Sequence, residues 1–560
     1  MRSLFLNVLL IVLLASQPLL AQDDVLRTKT ELVQTDITVV DKRGRFVDGL
    51  RADDFELRVD SRLQPLSFFE KVAAGSVDEE KQLTAARRGD KAALAKLPET
   101  PLSGTDRGRV IFFFVDDVHV TSDGLTRARS VITHFVENKM TAKDRVAVVS
   151  TSGQIGFLQQ LTDNKAVLRE AISRLNTRYN PETTASKVSI SEVDANLVAN
   201  HGDSGLFAYL MEATMKEFQT NALNAYTIVT NRVRQINAQS TIAEVNTLSR
   251  LLSFMRSTTP LAGRKLLFFI SDGFVVDAKR SNGSEVMRRV ANEAARNNVV
   301  IYSLGTRATT LGSSIDVSKN DYPDFSPRTA SRSLVESKMP QEPLDTLAEE
   351  TGGRSYLNPG ALDDGVAEAL TESSAYYLLA WRPDSENQRA GKSQIKVIVK
   401  GRPDLRVRMR RHFFDFRQNT NAQATAPRAD DLKTALGSLY PRRDLPVSVS
   451  ASFVNTADKG TVLNASMQIA GESLSFDESG GKERAIVDVL GIAVDDRGRF
   501  SSFSQRLDIP REVVLANTDR AIKWNQALPL PPGLYQVRVA VRDRQTGRTG
   551  SAMTWIEIPQ

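Results

Sequence analysis

The chain has 560 residues, 41% apolar and 25% charged, with a formal charge of +6 from 73 basic and 67 acidic side chains. That length exceeds one ordinary hydrophobic core and implies about three or four domains, and so even a mixture of charges is no nucleic-acid footprint. There is no cysteine, which excludes disulfides, a thiol nucleophile and Cys-ligated metals.

The first 21 residues read as a secretory signal: Arg2 opens them, Leu4 to Ala15 form an apolar core broken by Asn7, and Leu19-Leu20-Ala21 supply a cleavage point. The run is too short to span a bilayer and no later run is long enough, so the mature chain is expected outside the cytoplasm, secreted or periplasmic, without a transmembrane segment. Losing Arg2 takes the charge from +6 to +5, since the leader holds no other charged side chain.

Strand signals come next. Val33, Thr35, Ile37 and Val39 alternate with mostly polar neighbours, Asp41-Lys42-Arg43-Gly44 turns the chain, and Phe55, Leu57 and Val59 resume the alternation. We take 28–72 as an N-terminal β unit and the Ala-, Lys-, Arg- and Glu-rich 73–106 as a linker.

From Arg107 the pattern changes to short unalternated apolar runs ending on acid: Ile111 to Val115 before Asp116 and Asp117, and Leu266 to Ile270 before Ser271 and Asp272. Such runs are what strands buried on both faces of a parallel sheet look like. Val146 to Val149 and Val299 to Leu304 add further runs, and helical spacing over Leu125 to Asn138, Asn164 to Leu175, Ser284 to Asn297 and Leu344 to Thr351 alternates with them. Alternation of this kind predicts α/β, a doubly wound and mostly parallel sheet. Carboxylates ending its strands fall in the crevice where open α/β sheets bind ligands. Residues 178–260 form a long insert with two apolar sets at helical spacing, a cap over the sheet's edge or crevice, and Arg307 to Pro343 reads as a loop.

Tyr376 to Trp381 and Ile395 to Val399 suggest a strand extension over 372–416, followed by a polar linker at 417–430. Alternation through Val447, Val449 and Phe453, Ile486 to Val494, and Tyr535, Val537, Val539 and Val541 predicts an antiparallel β-sandwich over 431–560. The turn Asp495-Asp496-Arg497-Gly498 echoes Asp41-Lys42-Arg43-Gly44, a similarity that shared turn chemistry explains.

In order and spacing, Arg109 to Asp116, Lys143 to Val148, Gly263 to Gly273 and Ile301 to Arg307 resemble a von Willebrand factor type A domain, here over 107–360 with a helical insert. With Gly49 to Phe55, Leu347 to Gly353 and Tyr376 to Leu379, residues 28–416 resemble the VWFA-related proteins of Acidobacteria. The resemblance implies a binding module with a metal-ion-dependent adhesion site: an Asp-x-Ser-x-Ser after the first strand, a Thr, and a later Asp around Mg²⁺ or another divalent cation. Asp116 and Asp272 match the two acids, whereas Val118 and Val120 stand where the hydroxyls belong, so the site is degenerate, with Asp116, Ser271 and Asp272 as its candidate ligands.

The expected ligand-binding face is Asp116, Asp117, His119, Thr121 and Asp272, and the expected partner a protein at the envelope or outside the cell. A protein-interaction or adhesion role without catalysis leads. A metal-assisted hydrolase using the same acidic crevice and a structural envelope component stay open. His119 invites a carboxylate–imidazole reading, yet His134 and His201 lie at no ligand spacing from it. Ser271-Asp272-Gly273 lacks the Gly-x-Ser-x-Gly elbow of a nucleophilic serine.

Overall fold

The computed structural model describes residues 33–74, 82, 108–178, 187–259, 261, 263–276, 282–307, 321–324, 326, 332–382, 392–409, 412–414, 431–437, 441–442, 444–456, 460–479, 482–495, 500–517 and 520–558. The segment 1–21 expected to be a signal, most of the 73–106 linker, the 417–430 linker and the tip of the Asp495 turn lie outside them. Among the described residues no helix is long and apolar enough to cross a membrane.

Four strands open the chain: β1 (Val33–Val40), β2 (Phe55–Val59), β3 (Arg62–Gln64) and β4 (Phe68–Ala73). The α/β part follows, beginning β5 (Val110–Val115), α1 (Ser122–His134), β6 (Arg145–Ser150) and α2 (Lys165–Arg174). The insert contributes α3 (Glu192–Asn196), α4 (Ser204–Phe218) and α5 (Ala222–Ser257). After it come β7 (Lys265–Ser271), α6 (Gly283–Arg296), β8 (Val299–Gly305), α7 (Arg332–Lys338), α8 (Glu342–Thr351), β9 (Ser355–Tyr356) and α9 (Leu362–Glu372). The segment 307–343, read from sequence as loop, is thus helical over α7. Its Ser-rich composition hid this short helix.

The five strands form one parallel sheet in the order β6-β5-β7-β8-β9, with Val115 level with Ser150 on one side and Ile270 on the other. Why the apolar runs do not alternate is now visible. Ile111, Phe113 and Val115 pack under α1, α2 and α9, whereas Phe112 and Phe114 pack under α5, α6 and α8. At the opposite end Asp144, buried, takes Arg109 in a two-pronged pair, Nε at 2.9 Å and Nη2 at 2.6 Å, tying the starts of β5 and β6.

The insert does not lie flat on the sheet. Its 36-residue helix α5 is roughly 54 Å long at 1.5 Å per residue. Leu248 to Met255 of α5 belong to the sheet's core, while Val229, Val233 and Ile236 form a separate small core with Val188, Leu206 and Tyr209. The insert therefore rests on the sheet's core through one end of a continuous helix and holds its own core at the other.

The strands after α9 are β10 (Ala375–Trp381), β11 (Lys392–Val399), β12 (Arg406–Met409) and β13 (His412–Phe414). They do not form an extension of their own. Val33 pairs with Trp381, Ala73 with Ala375 and Phe55 with Val399, giving two four-stranded sheets, β12-β1-β10-β4 and β13-β11-β2-β3. The segments at 33–73 and 375–414 are one β-sandwich, and the α/β part is inserted into it. Tyr377 sits at its centre, stacked on Phe46 at 5.3 Å and Phe69 at 5.4 Å, with its hydroxyl donating to Val47 O at 2.9 Å.

The remainder comprises α10 (Asp431–Gly437), β14 (Val447–Thr456), β15 (Gly460–Ala470), β16 (Asp477–Ser479), β17 (Lys482–Asp495), β18 (Phe500–Pro510), α11 (Arg511–Ala516), β19 (Ala521–Pro529), β20 (Gly533–Asp543) and β21 (Thr549–Ile558). Antiparallel sheets β14-β15-β19 and β16-β17-β20-β21 enclose an apolar core, and β18 borders β17. This second sandwich docks on the α/β part through Leu534 and Trp555 and a buried bond from Gln536 Nε2 to Gln160 Oε1 at 2.9 Å.

Because both chain segments of the first sandwich depend on Tyr377, Tyr377→Ala is expected to cost about 3–5 kcal/mol there. Hydrogen exchange checks it: protection should fall together in 33–73 and 375–414, and stay unchanged in β5 to β8.

Candidate functional site

Strands β5 and β7 are parallel neighbours, and the amide of Asp116 donates to Ile270 O at 2.8 Å, so Asp116 and Asp272 end adjacent strands at one rim of the sheet. The loop after β5 turns sharply, with the amides of His119 and Val120 both donating to Asp116 O, at 3.1 and 3.0 Å. Val120 points into the apolar core and Val118 is half-buried, so these two positions of the loop give Asp116 no hydroxyl.

Asp116 is fully buried, and both of its carboxylate oxygens are met by protein groups. Oδ2 lies 2.8 Å from His119 Nδ1 and accepts from Ser271 Oγ at 2.8 Å. Oδ1 accepts from Thr247 Oγ1 at 3.0 Å and Thr151 Oγ1 at 3.3 Å. Three hydroxyls from separate elements thus meet Asp116: Ser271 at the end of β7, Thr151 in the turn after β6, and Thr247 on the insert helix α5. Of these, sequence reading named only Ser271. Thr151 directly follows a strand, a position that marks the rim, whereas nothing in the helical pattern of α5 distinguishes Thr247.

Burial works against ionisation of Asp116, but the charge of His119 and hydrogen bonds from His119, Ser271 and Thr247 outweigh it and hold the carboxyl below its ordinary range. Burial likewise opposes protonation of His119. The charge and hydrogen bond of Asp116, with Glu192 and Glu244 adding their fields, win there and raise its pKa. Its ring stacks on Phe274, centroids 5.1 Å apart, and Nε2 is buried without a hydrogen-bond partner among the described residues.

The other acids are held similarly. Asp117 is buried and accepts from Ser152 N at 2.9 Å, from Ser152 Oγ and from Gln154 Nε2 at 2.6 Å. Burial dominates its titration and raises its pKa, with Asp116's charge adding to the rise. Asp272 accepts from Thr121 N at 2.9 Å and Thr121 Oγ1 at 2.8 Å through Oδ2, and from Thr306 Oγ1 at 2.5 Å through Oδ1. Thr121 also caps α1, receiving Gly124 N at 3.1 Å, so Asp272 lies against the positive end of that helix. A Cβ at Gly124 would sit 2.5 Å from Asp272 Oδ1. Of the five expected face residues, only Thr121 is exposed.

As placed, the protein's own donors take up the carboxylate oxygens of Asp116 and Asp272. Among the described residues no group of three or more His, Asp or Glu side chains is placed to hold one. At Asp116 the imidazole occupies the carboxylate oxygen a cation would take and supplies the positive charge itself.

Removing one member of a buried ion pair leaves an uncompensated charge, so His119→Ala should cost about 3–5 kcal/mol, and Asp116→Asn/His119→Ala less than the two single losses summed. The pH dependence has a definite sign. His119, raised above 6.5, contributes fully below pH 6.5 and loses that contribution as pH climbs through its raised value, whereas Asp116, lowered below 3.8, contributes above pH 3.8 and loses it on acidification. Thermal melting of wild type and His119→Ala should therefore differ most between pH 3.8 and 6.5. Gly124→Ala, by crowding Asp272, should lower stability by about 1–3 kcal/mol.

No family model matches the chain, and no curated protein matches it. Similar solved structures include the ApaA protein of Bordetella pertussis, at 15% identity over 21% of this chain and 94% of that one, with a TM-score of 0.14. The structural-genomics target SoR45 is another, at 13% identity over 21% of this chain and 87% of that one, also with a TM-score of 0.14. At those scores neither bears on the site.

Proposed function

We propose that residues 107–360 form a von Willebrand type A-like binding module of an exported interaction protein, whose rim acids order the loops instead of coordinating a cation. The observation that carries this reading is the saturation of Asp116, buried and met on both oxygens by His119, Ser271, Thr151 and Thr247. Parallel strands ending in acids at one rim support the type A resemblance, and the leader-like start supports export. A carboxylate so engaged has no free oxygen for a cation, and without the cation there is no open coordination position for a partner's acid. The exposed residues beside it, Thr121, Ser122 and Asp123 at the start of α1, present a surface that the buried network keeps in place.

A second reading has one observation in its favour. The Asp116–His119 pair with an unpartnered Nε2 is the arrangement of an acid–base dyad. Burial of His119 beneath α5 and Phe274 argues against it, since no substrate reaches the nitrogen without movement of the insert.

The mature protein, immobilised and exposed to envelope and extracellular proteins, should retain its partner equally in Mg²⁺ and in chelator, and Asp123→Arg should abolish retention at unchanged melting temperature. Millimolar Mg²⁺ or Mn²⁺ should leave the melting temperature where it was, because only a ligand bound to the folded form raises it. A cation-dependent rise lost in Asp272→Ala would restore the metal-dependent site. Turnover of esters, phosphates or peptides that vanishes in His119→Gln would establish the hydrolase.

A further inference from the structure

Helices α6 and α8 cover the same face of the parallel sheet, and a cavity of about 350 Å³ opens between them. That is the small end of the range for ligand pockets. Its floor is apolar. Met287 of α6 and Leu347 of α8 are buried there, and the half-buried Val276 and Met339 add to the apolar lining. Methionine suits such a floor because its unbranched side chain adapts to ligands of different shape.

The walls carry opposite charges. Arg288 stands on α6, whereas Glu342 and Glu350 stand on α8, about two turns apart with Thr346 between them. Arg288 and Glu342 are exposed, and neither makes an ion pair or a side-chain hydrogen bond among the described residues. Opposite charges that line one cavity without joining leave a partner for each end of a ligand.

This lining selects among ligand chemistries. A ligand charged with one sign alone is repelled by one wall, whereas one with both signs at the ends of an apolar body satisfies both walls and the floor. Among the described residues no aromatic ring lines the cavity, so a nucleobase or sugar ring finds no face to stack on. A free amino acid carries both charges on one carbon. A dipeptide sets them at opposite ends with its side chains between. The planar guanidinium of Arg288 matches the terminal carboxylate through paired hydrogen bonds. We propose that this cavity binds a short zwitterionic peptide with apolar side chains, its carboxylate on Arg288, its ammonium on Glu342 and a side chain on Met287 and Leu347. The site shares no residue with the rim network and does not rest on the reading given to it.

The test is calorimetric titration of the full mature chain with Leu-Leu, its N-acetylated and C-amidated forms, Gly-Gly and free leucine. Leu-Leu should bind saturably. Blocking either end should weaken it about tenfold, the loss of one charge-assisted pair, and Gly-Gly and leucine should bind more weakly still. Arg288→Ala should weaken Leu-Leu about tenfold and make the acid and amide forms bind alike, and Glu342→Gln should do the same for the free and acetylated amines. Arg289→Ala removes a neighbouring exposed charge outside the lining, and should leave affinity within about twofold. Unchanged melting temperatures would show the variants folded. Failure of Leu-Leu to saturate, equal binding of the blocked forms to the wild type, equal binding of leucine or Gly-Gly, or an equal loss in Arg289→Ala would each overturn the proposal.

Discussion

A carboxylate removed from water must be met by donors, and the burial of Asp116 is the constraint on which the upper half of the α/β part depends. The donors come from four places: its own loop, the end of the neighbouring strand, the turn after the strand on the other side, and a helix of the insert. Beyond the ladder that already registers β5, β6 and β7, one side chain ties all four together. Asp117 and Asp272 extend the same principle outward, one gathering the turn after β6 and the other bridging the start of α1 to the end of β8. The rim is thus a polar keystone beneath which two apolar cores lie on either face of the sheet.

That keystone is joined to the second sandwich by one short stretch of chain. Thr151, Ser152 and Gln154 contact the rim acids, and a few residues later Gln160 makes the buried bond to Gln536. On the far side of the parallel sheet, Arg264 at the start of β7 lies over the Tyr376 ring at 5.0 Å and within 3.6 Å of Asp36, linking the sheet to the first sandwich. The units share polar and aromatic anchors as well as covalent linkers.

What was legible in the sequence followed from physics that acts locally. Phe112 to Val115 and Leu266 to Ile270 announce buried strands because both faces exclude polar residues, and the acids that end them fall where parallel sheets expose strand termini. Helices α1, α2, α6 and α8 were readable from the spacing of their apolar residues. The pairing of Val33 with Trp381 was not, since alternation reveals that a segment is a strand but says nothing of a neighbour so distant in the chain. Thr247 was invisible for a similar reason: one hydroxyl on a long amphipathic helix carries no pattern, and only the fold brings it to Asp116. The rim acids were found by position. Their engagement by internal donors was not, because the partners are single Ser and Thr residues on other elements.

The interrupted sandwich also imposes an order of events on biosynthesis. Strands β1 to β4 leave the ribosome long before β10 to β13 exist, so their ladder-forming edges stay unmatched while the α/β part, with all its strands contiguous, can complete itself first. Unmatched edges are templates for association between chains. Charged residues at Asp36, Glu56 and Arg58 on those early strands oppose such association, and the sandwich can close only once β10 to β13 have followed the α/β part.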